Sequence, residues 1–218
     1  MYLAEAEARI DVRPDIAEPA LPASERWSDF PHSVLSHHGE ACCEIARQWV
    51  IAMDFAQLNG AEPSSGPRWL RAKYKWGPSP WPMHWCEAVR RKTIDCGTHA
   101  ALALEAFRAR GLTAFPTQLV QRYSEEATGQ WRGKWGREDV SCHWLDGDHI
   151  YHEATALLVG DDEVKIWDSS AGSWVGPRQD GGYGSLTAVR IFAEGQYGGG
   201  DGFRWGERRI KPGVWVQI

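Results

Sequence analysis

A cysteine at the start of a buried helix is the feature that most restricts how this chain can fold. Residues 93–107 have the sequence TIDCGTHAALALEAF, in which Cys96 precedes Gly97 and apolar side chains then recur at helical spacing. Basic residues followed by Gly111 predict the end of that helix. The positive end of the helix dipole favours a thiolate at Cys96, and the thiolate is the nucleophilic form of cysteine. The alternative interpretation is a cysteine that only fills space.

Two strands further along the chain carry residues that could activate Cys96. Residues 152–159 and 163–168 are predicted strands, joined by a tight acidic turn. His152 opens the first strand and Asp168 closes the second, so an antiparallel hairpin would bring them side by side. An aspartate beside a histidine fixes its tautomer, and such a histidine can take the proton of a thiol. The sequence therefore predicts a triad of Cys96, His152 and Asp168.

These features resemble the transglutaminase-like branch of the papain-like cysteine enzymes. In that family a cysteine begins a helix of small residues, a histidine precedes an apolar strand, and a strand containing tryptophan ends in aspartate. The matching positions here are Cys96, His152, Trp167 and Asp168. The resemblance covers residues 93–170, with extra length in the insertion at 124–148. It implies an α+β fold of the papain-like or transglutaminase-like kind, in which the nucleophile helix packs on an antiparallel β-sheet.

The resemblance also implies cysteine-dependent acyl transfer through a thioester acyl-enzyme. The protein would be either an amide-forming acyltransferase or a peptidase or amidase. Its acyl donor would be a small molecule or peptide, and its acceptor water or an amine. No cofactor is expected.

Several residues are alternative or additional members of this site. In the family an upstream aromatic residue helps to stabilise the oxyanion, and Trp81 or Trp85 could take that place. The alternative for both is packing over the helix. The backbone N–H of Cys96 is a further candidate donor. His143 is the main rival to His152 as the base.

The remaining cysteines and histidines do not predict a metal site. Residues 141–152 contain three histidines and a cysteine but lack a second group of ligands at the separation that structural zinc sites use. Cys42 and Cys43 are expected to pack in the core. His37 and His38 are expected to be solvated, because no cysteine or histidine stands at a suitable spacing from them.

Length and composition indicate one catalytic domain behind an N-terminal arm. The chain has 218 residues and a formal net charge of −5, without a run of basic residues, which argues against nucleic acid as a partner. No apolar run is long enough to cross a membrane. Five cysteines do not make a disulfide framework, so we expect a cytoplasmic protein. The arm is expected over residues 1–35 and the domain over 36–218.

The 13 tryptophans support an alternative function. A chain so rich in indoles could present a tryptophan-rich surface to a partner. On this interpretation the protein is a non-catalytic binding or scaffold module, and its triad is vestigial.

The other elements follow from periodicity and turn residues. We expect helices over 36–59 and 85–92, strands over 113–123, 186–192 and 214–218, a loop, lid or solvated hairpin over 124–140, and a loop without core residues over 195–206. Asp146, Gly147 and Asp148 predict a hairpin turn.

Overall fold

The computed structural model describes residues 27, 30, 34–79, 83–135, 144–176, 185–193 and 202–218. Most of the expected N-terminal arm, together with Trp81 and His143, lies outside these residues. The described part is a mixed α+β structure with a large antiparallel sheet, which agrees with the predicted class. No helix in this part is both long and apolar enough to cross a membrane.

All the described helices lie in the first part of the chain, and most of the described strands follow them. The helices are α1 (Ala41–Leu58), α2 (Trp69–Lys73), α3 (Trp85–Ala88), α4 (Cys96–Ala109) and α5 (Glu125–Trp135). The strands of the first half are β1 (Lys75–Trp76), β2 (Thr93–Ile94) and β3 (Ala114–Arg122). Those of the second half are β4 (Leu145–Asp146), β5 (His149–Leu158), β6 (Val164–Asp168), β7 (Ser173–Val175), β8 (Ser185–Ile191), β9 (Phe203–Trp205), β10 (Arg208–Ile210) and β11 (Val216–Gln217).

The main sheet has seven strands, and every neighbouring pair is antiparallel. Its order is β11-β8-β3-β5-β6-β7, with β4 added beside β5. The predicted hairpin is β5–β6, in register with Thr155 opposite Trp167. The first of its strands begins at His149, earlier than predicted, because β4 and β5 continue the pairing up to the turn at Gly147. That turn confirms the prediction for residues 146–148.

Helix α1 begins later than the sequence pattern predicted. Residues 36–40 are not helical, because Ser36 forms a parallel bridge with His84 instead. The helix ends where Asn59 and Gly60 adopt positive φ angles of 41° and 81°, the left-handed geometry that closes many helices.

The prediction of a loop, lid or solvated hairpin over 124–140 is wrong for its first part, which forms α5. The Ser124 hydroxyl oxygen accepts the N–H of Ala127 at 3.2 Å, so it caps the helix start. Acidic residues occupy the first turn and basic residues the last, which complements the helix dipole. Capping and charge placement form this helix, whereas its weak apolar periodicity had indicated none.

The prediction that 195–206 contains no core residues is also wrong. Within this range β9 pairs with β10, and Phe203 and Trp205 are buried. They pack with Ile210 in an apolar cluster against the main sheet. The range is rich in glycine, so its sequence resembles a loop and did not indicate the short buried strand.

The main sheet separates two apolar cores. Helices α1 and α4 pack on one face, where Leu157 and Trp167 belong to the helix-side core. The β9–β10 hairpin covers the other face, where Ala156 and Ile166 belong to the second core. The Thr155 hydroxyl donates to the carbonyl of Ala100 at 3.0 Å, which fixes the first turns of α4 against β5. Helix α4, which begins at Cys96, therefore packs on the antiparallel sheet, as predicted.

A buried ion pair joins α1 to the end of α4. Arg110 Nε and one terminal nitrogen each donate to the carboxylate of Asp54 at 2.6 Å. The Trp69 indole N–H donates to the same carboxylate at 2.9 Å. The side chains of Arg110 and Asp54 are only 3% and 0% exposed, so each charge depends on the other for its compensation.

Candidate active site

Cys96 is the first residue of α4, and a cap holds it there. The Asp95 carboxylate accepts the N–H of Thr98 at 2.7 Å. Its other oxygen accepts the Ser79 hydroxyl at 2.8 Å, and the Asp95 N–H donates to the same hydroxyl at 3.1 Å. As the first helical residue, Cys96 has a backbone N–H without a partner inside the helix. The cap therefore fixes both the Cys96 thiol and this N–H at the positive end of the helix dipole.

His152 and Asp168 form a buried pair on the neighbouring hairpin. His152 Nε2 lies 2.9 Å from Asp168 Oδ2. The two side chains are 11% and 2% exposed, so water competes little for this bond. Because an ionised carboxylate only accepts, Nε2 carries the proton in this bond. The other ring nitrogen, Nδ1, is left to exchange a proton with a second group.

The turn after β6 fixes the carboxylate of Asp168. Its Oδ1 accepts the N–H of Ser170 at 2.9 Å, the hydroxyl of Ser170 at 2.7 Å and the N–H of Ala171 at 3.0 Å. Arg71 in turn donates to the carbonyl of Ala171. Burial alone would raise the pKa of Asp168, but the charge of His152 and the surrounding donors lower it to about 2. Asp168 is therefore ionised at neutral pH.

Cys96 is a second neighbour of His152. Burial alone would lower the pKa of His152, but its interactions with Asp168 and with Cys96 raise it well above its ordinary value. The imidazolium form of His152 is thus favoured. The structure brings together the three side chains that the sequence predicted as the triad. Their chemical roles stay a prediction.

His99 is a buried neighbour of the triad whose position the sequence did not indicate. Burial lowers its pKa to about 3, against the opposing effect of the Asp168 charge, so its ring is neutral. It meets the ring of Tyr74 edge to face at 6.1 Å. Neither ring nitrogen has a partner among the described residues. Its position one turn after Cys96 was the one signal in the sequence that could have placed it near the triad, but the apolar residues around it indicated only packing.

A chain of buried hydrogen bonds approaches Cys96 from β3 and β5. The Tyr151 hydroxyl donates to the Glu153 carboxylate at 2.6 Å and accepts the Gln118 amide at 2.7 Å. Burial, the charge and hydrogen bond of Glu153, and the charge of Cys96 all raise the pKa of Tyr151 well above its ordinary value. Tyr151 therefore stays a neutral phenol close to the thiol. The Gln118 amide also donates to the carbonyl of Phe30 at 2.8 Å.

The two aromatic oxyanion candidates have different outcomes. Trp85 is the first residue of α3, is 6% exposed and packs in the helix-side core. Its packing matches the alternative interpretation, and its part in oxyanion binding stays a prediction. Trp81 lies outside the described residues, as does the rival base His143.

Comparisons with protein-family models, with curated proteins and with solved structures found no match to this chain.

Proposed function

We propose that this protein is a cysteine-dependent acyl-transfer enzyme with a papain-like, transglutaminase-like catalytic domain. The observation that carries the proposal is the buried His152–Asp168 pair, 2.9 Å between Nε2 and Oδ2, with Cys96 close enough to the same imidazole to raise its pKa. A nucleophile, a base and an orienting carboxylate beside one another are the parts that covalent catalysis requires. The positive end of the α4 dipole at Cys96 stabilises the negative charge that covalent catalysis creates there.

The first half of the reaction forms a thioester. The Cys96 thiol gives its proton to Nδ1 of His152, and the sulfur attacks the carbonyl carbon of the acyl donor. The carbonyl oxygen becomes an oxyanion, and the Cys96 N–H at the first position of α4 is the candidate donor to it. His152 then returns the proton to the leaving amine, alcohol or thiol as its bond to the acyl carbon breaks.

The second half releases the acyl group from Cys96. Water or an amine loses a proton to His152 and attacks the thioester carbonyl. The thiolate leaves and regains the proton, which gives a free acid with water or an amide with an amine. Throughout both halves Asp168 holds the Nε2 proton of His152 and so keeps Nδ1 available.

The alternative of a binding module with a tryptophan-rich surface has less support. Among the large apolar side chains that are exposed in the described residues, Trp174 is the one tryptophan, at 36% exposure. Trp27, Trp167 and Trp205 are instead buried in apolar clusters. These three indoles stabilise the fold rather than line a partner surface.

The experiment that tests the proposal is the trapping of an acyl-enzyme. The full chain is mixed with p-nitrophenyl acetate, and intact mass and peptide mapping then locate the acetyl group. We expect rapid p-nitrophenol release with one acetyl thioester at Cys96, removable by hydroxylamine. Adding a primary amine in excess distinguishes the two outcomes, because an amide-forming enzyme gives the acetylated amine and a hydrolase gives acetate.

Matched variants make the result specific to the triad. Cys96→Ser should form no thioester, and His152→Ala should acylate far more slowly than wild type. Cys142→Ser, which removes a cysteine that belongs neither to the triad nor to any other group of cysteines in the described residues, should still acylate at Cys96. Acylation of wild type at the same slow rate on all accessible cysteines would refute the proposal.

A further inference from the structure

A second group of reactive side chains lies apart from the triad, at the start of α1. One imidazole and three thiols point at a common centre, and their ligand atoms all lie within 4.8 Å of one another. This cysteine–histidine cluster consists of His38, Cys42, Cys43 and Cys86. The sequence pattern had indicated core packing for two of these cysteines and solvent exposure for the histidine.

Four of the six distances inside the cluster are close to the edges of a metal tetrahedron. His38 Nε2 lies 3.6 Å from the Sγ of Cys42 and 3.6 Å from the Sγ of Cys43. It lies 3.1 Å from Cys86 Sγ, and the sulfurs of Cys43 and Cys86 are 3.7 Å apart. A tetrahedral zinc with Zn–S bonds of about 2.3 Å and a Zn–N bond of about 2.0 Å spaces its sulfurs by about 3.8 Å and each nitrogen–sulfur pair by about 3.5 Å.

The fold holds two of the ligands side by side through the bridge between Ser36 and His84. This bridge is parallel, and the Ser36 hydroxyl is 2.9 Å from Nδ1 of His84. His38 lies two residues after Ser36, and Cys86 lies two residues after His84. Because the two segments of a parallel bridge run in the same direction, both ligands lie beyond the same end of the bridge. The bridge thereby holds the segment before α1 beside the start of α3, which precedes Cys96 in the chain.

The other two ligands come from the first turn of α1. Cys42 and Cys43 are the second and third residues of this 18-residue helix. Three thiolates and one divalent cation carry a net negative charge, which the positive end of the helix stabilises. Glu40 Oε2 lies 3.9 Å from Nδ1 of His38 and 3.5 Å from the Sγ of Cys42, which donates to it.

We infer that the cysteine–histidine cluster is a structural Zn²⁺ site of the Cys₃His type. Four protein ligands fill a tetrahedral shell, so the site has no open position for a substrate. Binding displaces the thiol protons of the three cysteines into the buffer. The ion would tie the start of α1 to α3, ahead of Cys96 but without using it. The inference is independent of the proposed acyl transfer.

Metal analysis of the full chain tests the inference. The protein is purified with a thiol-free reductant from cells grown with zinc, and its metal content is measured by plasma mass spectrometry. We expect about one zinc per chain. Cys43→Ser, Cys86→Ser and His38→Ala should each lose it. His37→Ala and the triad variant Cys96→Ser are the matched controls and should keep it.

A second measurement uses wild type alone, so it does not depend on the folding of the variants. The metal-free protein is titrated with Co²⁺ under reducing conditions. Tetrahedral ligation by three thiolates gives intense visible bands and thiolate-to-cobalt charge transfer that saturate at one equivalent. Reduced wild type that binds neither zinc nor cobalt, or equal zinc in the ligand variants and in wild type, would overturn the inference. The inference would also be overturned if purified wild type contained a Cys43–Cys86 disulfide and bound no metal after that disulfide was reduced.

Discussion

Replacing Asp168 with asparagine should abolish the activation of Cys96 with little change in shape. Oδ1 of Asp168 accepts three hydrogen bonds from Ser170 and Ala171, and Oδ2 accepts one from His152. Asparagine has one oxygen, so its amide group must face one of these two sets of donors. Turning it toward the turn would leave buried donors without acceptors, at a cost of about 1–3 kcal/mol for each.

The less costly orientation therefore places the new amide against Nε2 of His152. Nε2 must then accept, and the proton moves to Nδ1. A neutral ring protonated at Nδ1 cannot take the proton of Cys96. The Asp168→Asn variant should thus leave Cys96 with the behaviour of an unassisted thiol, whose ordinary pKa is about 8.5.

The assay is the pH dependence of Cys96 alkylation by iodoacetamide, with the labelled peptide identified by mass spectrometry. Wild type should label faster than the variant at every pH from 5 to 7, because the raised pKa of His152 keeps a positively charged imidazolium beside Cys96 over this range. In the variant the rate should decrease about tenfold for each unit by which the pH is lowered, or about a hundredfold from pH 7 to pH 5, as the thiolate fraction of an ordinary thiol does.

The same change at Asp162, in the β5–β6 turn, is the matched control. Asp162 pairs with Arg209 at the surface, so Asp162→Asn should keep the labelling rates of wild type. Equal labelling rates in Asp168→Asn and in wild type across this pH range would refute the role given to Asp168.

Two further substitutions test what holds the site's scaffold together. Asp54→Ala leaves Arg110 buried and unpaired, so we expect the free energy of unfolding to fall by about 3–5 kcal/mol in urea denaturation. Gly66→Ala places a methyl group inside contact distance of the Trp167 ring, so overpacking should lower the same quantity by about 1–3 kcal/mol. Asp161→Ala is the exposed control for the first and should change it by less than about 0.5 kcal/mol. Equal stability of Asp54→Ala and its control would contradict the first prediction, and an unchanged Gly66→Ala the second.

Local patterns in the sequence were sufficient for the nucleophile helix and for the hairpin that carries the other two triad members. Cys96 precedes an apolar stripe and a glycine stop, and these are signals read over a few neighbouring residues. The turn before Glu163 and the apolar strands around it determined that His152 and Asp168 would approach each other. A two-residue period and a tight turn specify such a pairing without any long-range information.

Patterns were insufficient where capping or buried contact, rather than periodicity, forms the element. Helix α5 depends on Ser124 and on the charges of its end turns, and its polar surface resembled a loop. Strand β9 depends on the burial of Phe203 and Trp205, which a glycine-rich stretch concealed. In both cases the stabilising interaction is not a repeat in the sequence.

The sequence by itself therefore determined which residues could do chemistry at Cys96 and in what order along the chain they stand. Only the tertiary structure decided what surrounds them. It buried His99 beside Asp168, and it brought Cys86 to His38 through a bridge between distant segments. Such contacts depend on how separate elements pack. The spacing of two residues along the chain does not determine the distance between them in the folded protein.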